Sequence, residues 1–494
     1  MTDVRSELRR PRARLAGALV AVAVLVGAAS LLTPQVTAVE SAPVKEPVAS
    51  TELVCAVTTG TSALTSTITA GVAPLPNVTT GLATLADLSV KQTADPLRIT
   101  EPGQSVTKVI TGKSGPALLA RATGSFAQGL GADQAIRSGQ GTVRGLAASP
   151  CARPVTDAWI VGGGSTVGRL TQVLLVNDDD RPALVDLLVY GQSGPVPAPG
   201  ASGLLLGPGS RTQVRLSTLA PNQPLTAVHV VARSGRVGVV GLDQSSKGLI
   251  PTGVMIMPPS DPGTRLVIPG LPAVDAVYLF LLSPDIDTTA QITFLTPDGP
   301  IVPESVGTVQ LEAGKVKLLR IEPQMAKAPA GILITSDTDL VAGAEVRAGG
   351  FTSRLQEKDG SAPVPALSAP GIVVGLAAGA LKHSVMLSAP GKASTVGLAL
   401  YAGGASTPAW EQKVTVASGS LSVVSIPVTT TAASSTLVVT PLGGGPVYAA
   451  RQVTERGSRG PMLALAPILP QRANTLVPTV VSQPGSSVPG VSSR

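Results

Sequence analysis

Short runs of alternating apolar and polar residues recur along this chain at a spacing of about 105 residues. Each recurrence is centred on a glycine, and an isoleucine or leucine follows seven residues later. The four glycines are Gly103, Gly209, Gly314 and Gly419. A fixed period of this length indicates a series of domain-sized modules.

On both sides of each glycine, apolar residues lie two positions apart, as Leu204 and Leu206 do before Gly209 and as Val214 and Leu216 do after it. This period predicts a β-hairpin with one buried face. Further pairs of apolar runs precede and follow the hairpin, giving about six or seven strands per module. We therefore expect an all-β chain of tandem antiparallel β-sandwich modules of immunoglobulin-like type, after a single N-terminal transmembrane helix.

Composition shifts divide the chain into eight predicted segments. They are a cytoplasmic basic segment at 1–14, a transmembrane anchor or signal h-region at 15–33, a Pro-rich linker at 34–50, a degenerate β module at 51–152, three β-sandwich modules at 153–262, 263–362 and 363–460, and a disordered Pro/Ser-rich tail at 461–494. Pro-rich breaks near 251–263 and 361–371 are expected to separate the later modules.

The segment Leu15–Leu32 holds 18 uncharged, mostly apolar residues, which span about 27 Å as a helix and are long enough to cross a membrane. Arginines precede it and none follow closely, which places the N-terminus inside and the bulk outside. Val36-Thr37-Ala38 fits a signal-peptidase site, so secretion after cleavage near Ala38 is the alternative. Under both interpretations residues 39–494 are extracytoplasmic.

The chain has two cysteines, Cys55 and Cys151, which flank the first module. Outside the cytoplasm such a pair tends to form a disulfide, and closing a loop of this length stabilises by up to about 4–5 kcal/mol. The alternative is two unrelated thiols. Without a C-x-x-C spacing, neither redox catalysis nor a zinc site is expected.

Charge and aromatic content argue against a nucleic-acid partner. The first 14 residues, with five arginines against Asp3 and Glu7, supply +3 of the net charge of +7, and aromatic residues make up 2% of the chain. No basic patch with interleaved aromatic side chains remains for base stacking. With Trp159 and Trp410 in different modules, an aromatic platform for sugars is also hard to assemble.

Candidate catalytic residues are few. The two histidines, His229 and His383, lie in apolar strands of different modules and are expected to be structural. Gly112-Lys113-Ser114 does not complete a phosphate loop, because position 107 is threonine and no helix follows. Gly162-Gly163-Gly164 is expected to be a turn.

An acidic hairpin tip, Asp178-Asp179-Asp180, is compatible either with Ca²⁺ or with a solvated turn. The equivalent loops carry Asp285 and Asp287 in the third module but Gly391-Lys392 in the fourth. We favour the solvated turn, and we expect no catalytic, cofactor-binding or metal-binding residue and no cofactor.

One stretch of sequence carries a family resemblance. Cys151-x-Arg153-Pro154 is followed by DAWIVGGGSTVGR and then by LLVNDDDRPALVDLLVYGQSG. This arrangement resembles an uncharacterised actinobacterial family of secreted or membrane-anchored proteins with a domain of unknown function. Members of this family occur beside envelope glycosyltransferases, so the resemblance implies a role at the cell surface. It supplies no catalytic residues.

These observations favour a non-catalytic extracytoplasmic protein of the cell envelope that serves as a structural or interaction scaffold. The expected partners are the membrane, through Leu15–Leu32, and envelope proteins or glycans, with the oligomeric state left open. One alternative is a glycan-binding accessory protein for envelope glycosyltransferases. Another is a hydrolase whose paired carboxylates meet at a module junction.

Overall fold

The computed structural model describes residues 44–57, 64–89, 95–112, 114–349, 356–429, 434–457 and 460–477. Contacts divide them into a main compact unit, Pro47–Ala473, and a smaller unit formed by the chain outside it. In the smaller unit, β1 (Val44–Pro47) pairs with a strand at Asn474–Val477 in a two-stranded sheet.

The first module contains eight strands in two antiparallel sheets, β2-β7-β4-β5 and β6-β3-β8-β9. The strands are β2 (Ser50–Cys55), β3 (Thr65–Val72), β4 (Gly81–Asp87), β5 (Leu97–Ile99), β6 (Ser105–Ile110), β7 (Leu118–Gly124), β8 (Leu130–Ser138) and β9 (Gly145–Pro150). Cys55 and Cys151 form a disulfide within the core between the sheets, as predicted.

The second module repeats this topology with one additional short strand, β13. Its strands are β10 (Asp157–Val161), β11 (Arg169–Asn177), β12 (Ala183–Gly191), β13 (Gly194–Val196), β14 (Leu204–Leu206), β15 (Ser210–Arg215), β16 (Ala227–Ser234), β17 (Gly238–Lys247) and β18 (Ile250–Met257). One sheet joins β10, β16, β12, β13 and β14, and the other has the order β15-β11-β17-β18.

In the third module a single strand of 19 residues, β25, belongs to both sheets. The strands are β19 (Gly263–Leu271), β20 (Ala276–Leu282), β21 (Thr288–Thr296), β22 (Gly299–Ile301), β23 (Thr308–Leu311), β24 (Lys317–Arg320), β25 (Ala330–Ala348) and β26 (Glu357–Ser361). The first half of β25 pairs with β19 and β21, and its second half pairs with β20 and β26.

The fourth module returns to eight separate strands, in the sheets β27-β32-β29-β30 and β31-β28-β33-β34. They are β27 (Gly371–Leu376), β28 (Leu381–Ala389), β29 (Ser394–Ala402), β30 (Trp410–Val416), β31 (Ser420–Ile426), β32 (Ser435–Gly444), β33 (Tyr448–Gly457) and β34 (Gly460–Ile468). The strand at Asn474–Val477 is β35. In each module, we name the sheet that contains the module's first strand the first-strand sheet. The sheet that contains its last strand is the last-strand sheet.

The repeated glycine does not form the predicted hairpin. The strands before and after it, such as β30 and β31, lie in opposite sheets, so the glycine turn connects the two layers of the sandwich. Alternation of apolar residues identified the buried faces correctly, but two strands that face each other across a core show the same alternation as two paired strands. All four glycines adopt positive φ, between 58° and 88°, which favours glycine over residues with a side chain.

Three further predictions need correction. Each module has eight strand positions instead of the predicted six or seven. The Pro-rich break near 251–263 contains most of β18, and the tail predicted from residue 461 begins with β34, which is paired with β33 and largely buried. The first two strands of each module lie in opposite sheets, whereas in an immunoglobulin domain they share one.

Helix is scarce in the described residues, which contain three helical turns at Ser125–Gln128, Leu216–Leu219 and Pro323–Ala326. No described helix is apolar and long enough to cross a membrane. The predicted membrane segment Leu15–Leu32 and the cleavage site at Ala38 lie outside the described residues, as do residues 478–494 of the predicted tail.

The four modules pack in a closed ring within the main unit. The first-strand sheet of one module packs on the last-strand sheet of the next, and the fourth module packs on the first. This packing explains why strands such as β11 are apolar on both faces: Val173 and Leu175 enter the core of their own module, while Leu174 and Val176 contact the first module.

Candidate functional site

The last strands of the four modules meet around the centre of the ring. β9 and β26 each pack against β18 and β34, and they also contact each other. Next to these last strands, the preceding strand of each module (β8, β17, β25 or β33) carries a charged side chain. This side chain always comes two residues after a glycine or alanine. These residues are Asp133, Asp243, Glu345 and Arg451, and all four are buried. The centre of the ring is therefore a buried polar region.

Four charged groups join the second module to the third. Asp243 accepts hydrogen bonds from the Nζ of Lys358 and from Arg169, whose NH2 group lies 3.0 Å from Asp243 and 2.8 Å from Glu345. The side chains of Asp243, Glu345 and Lys358 are at most 1% exposed. Burial alone would raise the pKa of Asp243, but Lys358 and Arg169 hold it below its ordinary value. Arg169, with Lys358 and Arg347, does the same for the pKa of Glu345.

A second set of ion pairs closes the ring between the first and fourth modules. Arg451 donates a hydrogen bond of 2.9 Å to Asp133, which also accepts one of 2.9 Å from the backbone N–H of Val374. Arg137 and Glu455 form a bidentate pair nearby. Burial raises the pKa of Asp133 against the opposing effect of Arg451, whereas Arg137 lowers the pKa of Glu455.

A third set connects the first, third and fourth modules. Arg144 lies 3.2 Å from Glu357 and donates to the carbonyl of Gly460 at 2.9 Å. Glu357 also accepts a hydrogen bond of 3.1 Å from the N–H of Leu146, and Asp359 accepts one from the N–H of Leu465. Burial raises the pKa of Glu357 to about 8 and raises that of Asp359 well above its ordinary value.

A carboxylate pair does occur at a module junction, as the hydrolase hypothesis requires, in Asp243 and Glu345. Both side chains are bound to Arg169 and at most 1% exposed. In this arrangement a substrate has no access to them, which weakens that hypothesis. The absence of enzymatic activity stays a prediction.

A cavity of about 450 Å³ opens where the four last strands end. Every module contributes a Pro-rich segment to its wall, at 150–155, 258–261, 362–365 and 467–472. Because proline fixes φ, these segments form a stiff rim. We name this cavity the axial pocket.

The charged residues of the axial pocket are unevenly paired. Asp133, at the back, is bound to Arg451. Arg153 donates only long hydrogen bonds to neutral oxygens, 3.4 Å to the carbonyl of Pro470 and 3.4 Å to Oε1 of Gln471. Burial, and then the neighbouring charge of Arg472, lower the pKa of Arg153 to about 10.

A second concave region, of about 740 Å³, lies between the second and third modules. We name it the lateral groove. Its polar wall consists of amide, hydroxyl, carboxylate and ammonium groups, from Gln192, Ser193, Gln310, Glu312, Lys315 and Lys317.

The structure keeps the two histidines apart. His229 stacks on Trp159 with ring centroids 4.0 Å apart, and its Nε2 lies 2.6 Å from Asp157. His383 bonds through Nε2 to the carbonyl of Ala377 at 2.7 Å, and burial lowers its pKa. Neither histidine lines the axial pocket or the lateral groove.

The acidic tip at Asp178–Asp180 contains a local turn in which Asn177 accepts a hydrogen bond of 3.1 Å from the N–H of Asp179. Burial raises the pKa of Asp178 to about 6, and Asp287 accepts a hydrogen bond of 2.7 Å from the N–H of Ala313. In the part of the chain that the structure describes, no group of three or more His, Cys, Asp or Glu side chains is arranged to hold a metal ion.

The glycine-rich candidates lie in connections between strands where they are described. Gly162 and Gly163 have positive φ and lead to β11, a strand, so no helix N-terminus is present for a phosphate. Lys113, in the other candidate, lies outside the described residues, and Gly391-Lys392 belongs to the turn between β28 and β29.

Sequence reasoning missed the axial pocket and the buried charges. One signal was present: Glu357-Lys358-Asp359 is a run of three charges just before the Pro-rich stretch at 361–371. No role is predicted for this run from the sequence. Arg153 appeared only within the family resemblance, without a role. The partners of the buried charges lie far away in the chain, 213 positions for Glu357 and Arg144 and 318 for Asp133 and Arg451, so no local pattern connects them.

This sequence thus forms a ring of tandem β-sandwich modules around a buried polar centre. The chain belongs to DUF5719, a family of unknown function, whose family model matches residues 106–467. This confirms the resemblance at the level of a family of unknown function. No curated protein matches the chain.

Proposed function

We propose that the protein is a non-catalytic, extracytoplasmic component of the cell envelope, anchored by Leu15–Leu32, in which the ring serves as an interaction scaffold. The Cys55–Cys151 disulfide carries the proposal, because a structural disulfide indicates an oxidising compartment. Both sulfur-bearing residues are buried in the first module, where reductants have little access.

The closed ring supports the scaffold part of the proposal. Each module packs on two neighbours, so the loops at the ring surface keep fixed relative positions. Two adjacent turns of the second module present Val167 and Leu249 almost fully to solvent, and the N–H of Ser246 joins these turns by bonding to the carbonyl of Gly168. Exposed aliphatic tips of this kind suit a protein partner.

Localisation is tested with the full chain carrying a C-terminal tag, in intact and lysed cells. We expect externally added protease to remove the tag from cells whose outer barrier has been opened, and the chain to sediment with membranes. Ala38→Leu removes the small residue at the predicted cleavage site. If this variant has the same size and location as the unaltered protein, the segment Leu15–Leu32 is an anchor; if it accumulates as a longer chain than the unaltered protein, the segment is normally cleaved. A tag that is protected until the plasma membrane is lysed contradicts the proposal.

The scaffold role is tested by photo-crosslinking in native cells. A crosslinking amino acid replaces Val167 or Leu249, and Asp298, on an exposed polar turn of the third module, serves as the control position. We expect Val167 and Leu249 to capture the same envelope protein and Asp298 not to capture it. Failure of both apolar positions to capture any partner contradicts a scaffold that acts through these turns.

The lateral groove favours glycan binding as a second candidate function. Amide, hydroxyl and charged groups such as Gln192, Gln310 and Glu312 can pair with the hydroxyl groups of a sugar. The test is retention of the protein on purified wall polysaccharide. We expect Gln192→Ala with Gln310→Ala to reduce retention and Gln412→Ala, on the exposed part of β30, to leave it unchanged; no retention of the unaltered protein at any salt concentration excludes this candidate.

A further inference from the structure

The charged side chains that line the axial pocket are Arg153, Arg472, Asp133 and Asp261, and Asp133 is already paired with Arg451. Neither Arg153 nor Arg472 forms a salt bridge within the described part of the chain. Asp261 also lines the pocket, but it is exposed at the rim and forms no ion pair with either arginine there. Removing a guanidinium from water without a counter-charge is costly, so a negatively charged group from outside the chain would stabilise this arrangement.

The remainder of the pocket wall is mostly apolar. Leu53, Val240, Val364 and Ile372 are buried side chains of this wall, and Leu469 is half-buried. A volume of about 450 Å³ lies within the range of small-molecule sites, which combine apolar walls with a few polar groups that orient the ligand.

We propose that the axial pocket binds a small amphipathic anion, with an oxyanion head group held by Arg153 and Arg472 and an apolar body against the wall of the pocket. The planar guanidinium group suits this role because it donates two parallel hydrogen bonds to a carboxylate or a phosphate. Gln471, which also lines the pocket, accepts a hydrogen bond of 3.4 Å from Arg153. This site is independent of where the protein is located and of any docking through Val167 and Leu249.

The stiffness of the rim supports a preformed site. The wall includes Pro150, Pro258, Pro259, Pro363, Pro365 and Pro470. Because the four modules are joined directly behind this rim by buried ion pairs, ligand binding requires little reordering of the chain, which lowers its entropic cost.

Binding is tested by isothermal titration of the full chain in nanodiscs of neutral lipid, with empty nanodiscs as the blank. The probes are decanoate, decyl phosphate, inorganic phosphate and decanol. We expect saturable binding of decanoate or decyl phosphate, and the stronger of the two identifies the head group as carboxylate or phosphate. Equal binding of decanol contradicts the anionic head, and equal binding of inorganic phosphate contradicts the apolar body.

Variants locate the site. Arg153→Gln and Arg472→Gln are each expected to weaken binding of the preferred alkyl anion by about 10-fold or more, which is the usual effect of losing a charged hydrogen bond. Ser368→Trp, at an exposed position of the pocket rim, is expected to block entry. Arg98→Gln, at an exposed arginine on β5, is the matched control and should bind normally.

Arg472 is exposed, so its replacement tests the site even if Arg153→Gln fails to fold. No saturable binding of either alkyl anion, or unchanged binding in Arg472→Gln and Ser368→Trp, overturns the proposal.

Discussion

Gly103 illustrates how the repeated glycine connects neighbouring modules. The N–H groups of Gly103, Gly314 and Gly419 each bond to the carbonyl at the end of the second strand of their own module. A Cβ on Gly103 would lie 2.4 Å from the carbonyl oxygen of Ala405 in the fourth module. Gly103 therefore permits both the turn and the close approach of the fourth module.

We predict that Gly103→Ala lowers the free energy of unfolding by more than 2 kcal/mol, because positive φ costs about 1 kcal/mol for alanine and the steric contact adds to it. Gly404→Ala is the matched control, since Gly404 also has positive φ, 81°, but open space around its Cβ position. Urea titration of both variants measures the difference. Equal destabilisation of the two would show that the contact between modules contributes nothing.

Glu357 provides a prediction on pH dependence. Its pKa rises from an ordinary 4.5 to about 8 on folding, so the folded state binds the extra proton between these values. The resulting stabilisation is complete below pH 4.5 and is lost as the pH rises through about 8, by up to about 5 kcal/mol.

Glu357→Gln imitates the protonated carboxyl and should remove this dependence. We expect its melting temperature to be close to that of the unaltered protein at pH 5 and higher than it at pH 9. Asp243 and Glu345 do not produce this effect, because their lowered pKa values stabilise the fold above their ordinary range and lose that contribution only in acid. A constant difference in melting temperature between pH 5 and pH 9 would contradict the assignment.

At the scale of elements, β26 shows the value and the limit of sequence patterns. The alternation of apolar residues correctly indicated strands, buried faces and the class of fold. β26 has no apolar alternation, because Glu357, Lys358 and Asp359 face charges and backbone groups of other modules. The partner of Lys358 is 115 residues away in sequence, so this strand became recognisable only in the assembled ring. The axial pocket escaped prediction for the same reason, since its residues come from four separate segments.

We predict that Lys358→Met destabilises the protein by about 3–5 kcal/mol, because it leaves Asp243 and Glu345 buried with one cation fewer. Lys327→Met is the control: Lys327 pairs with Asp275 on the surface, where its side chain is 62% exposed, and the loss should be at most about 1 kcal/mol. Chemical denaturation of both variants provides the comparison. Adding Asp243→Asn to Lys358→Met should recover part of the lost free energy of unfolding. If the double variant instead loses the full effect of Asp243→Asn in addition, the two residues are not coupled and the prediction is wrong.

At the scale of the whole molecule, closure of the ring governs how the modules unfold. The first and fourth modules contact each other through Ile372 and Val374 on one side and Ala73 on the other, and through the Asp133–Arg451 ion pair. Sequence repeats indicated four modules but not their closure, because the period is the same in a ring and in an extended string.

Removal of the fourth module separates these two arrangements. In a string, truncation after Ala362 leaves the first three modules as stable as before, whereas in the ring it exposes apolar residues of β9 such as Leu146 and leaves Asp133 without Arg451. We therefore expect calorimetry to show a single main transition for the full chain and a lower melting temperature, with more than one transition, for the truncated chain. Truncation after Ala473, which removes no strand of the ring, is the control and should leave the main transition unchanged. If the three remaining modules melt at the temperature of the full chain, the contact between the first and fourth modules does not stabilise the molecule. The buried charges at the centre would then stabilise only the contacts between modules that follow each other in sequence.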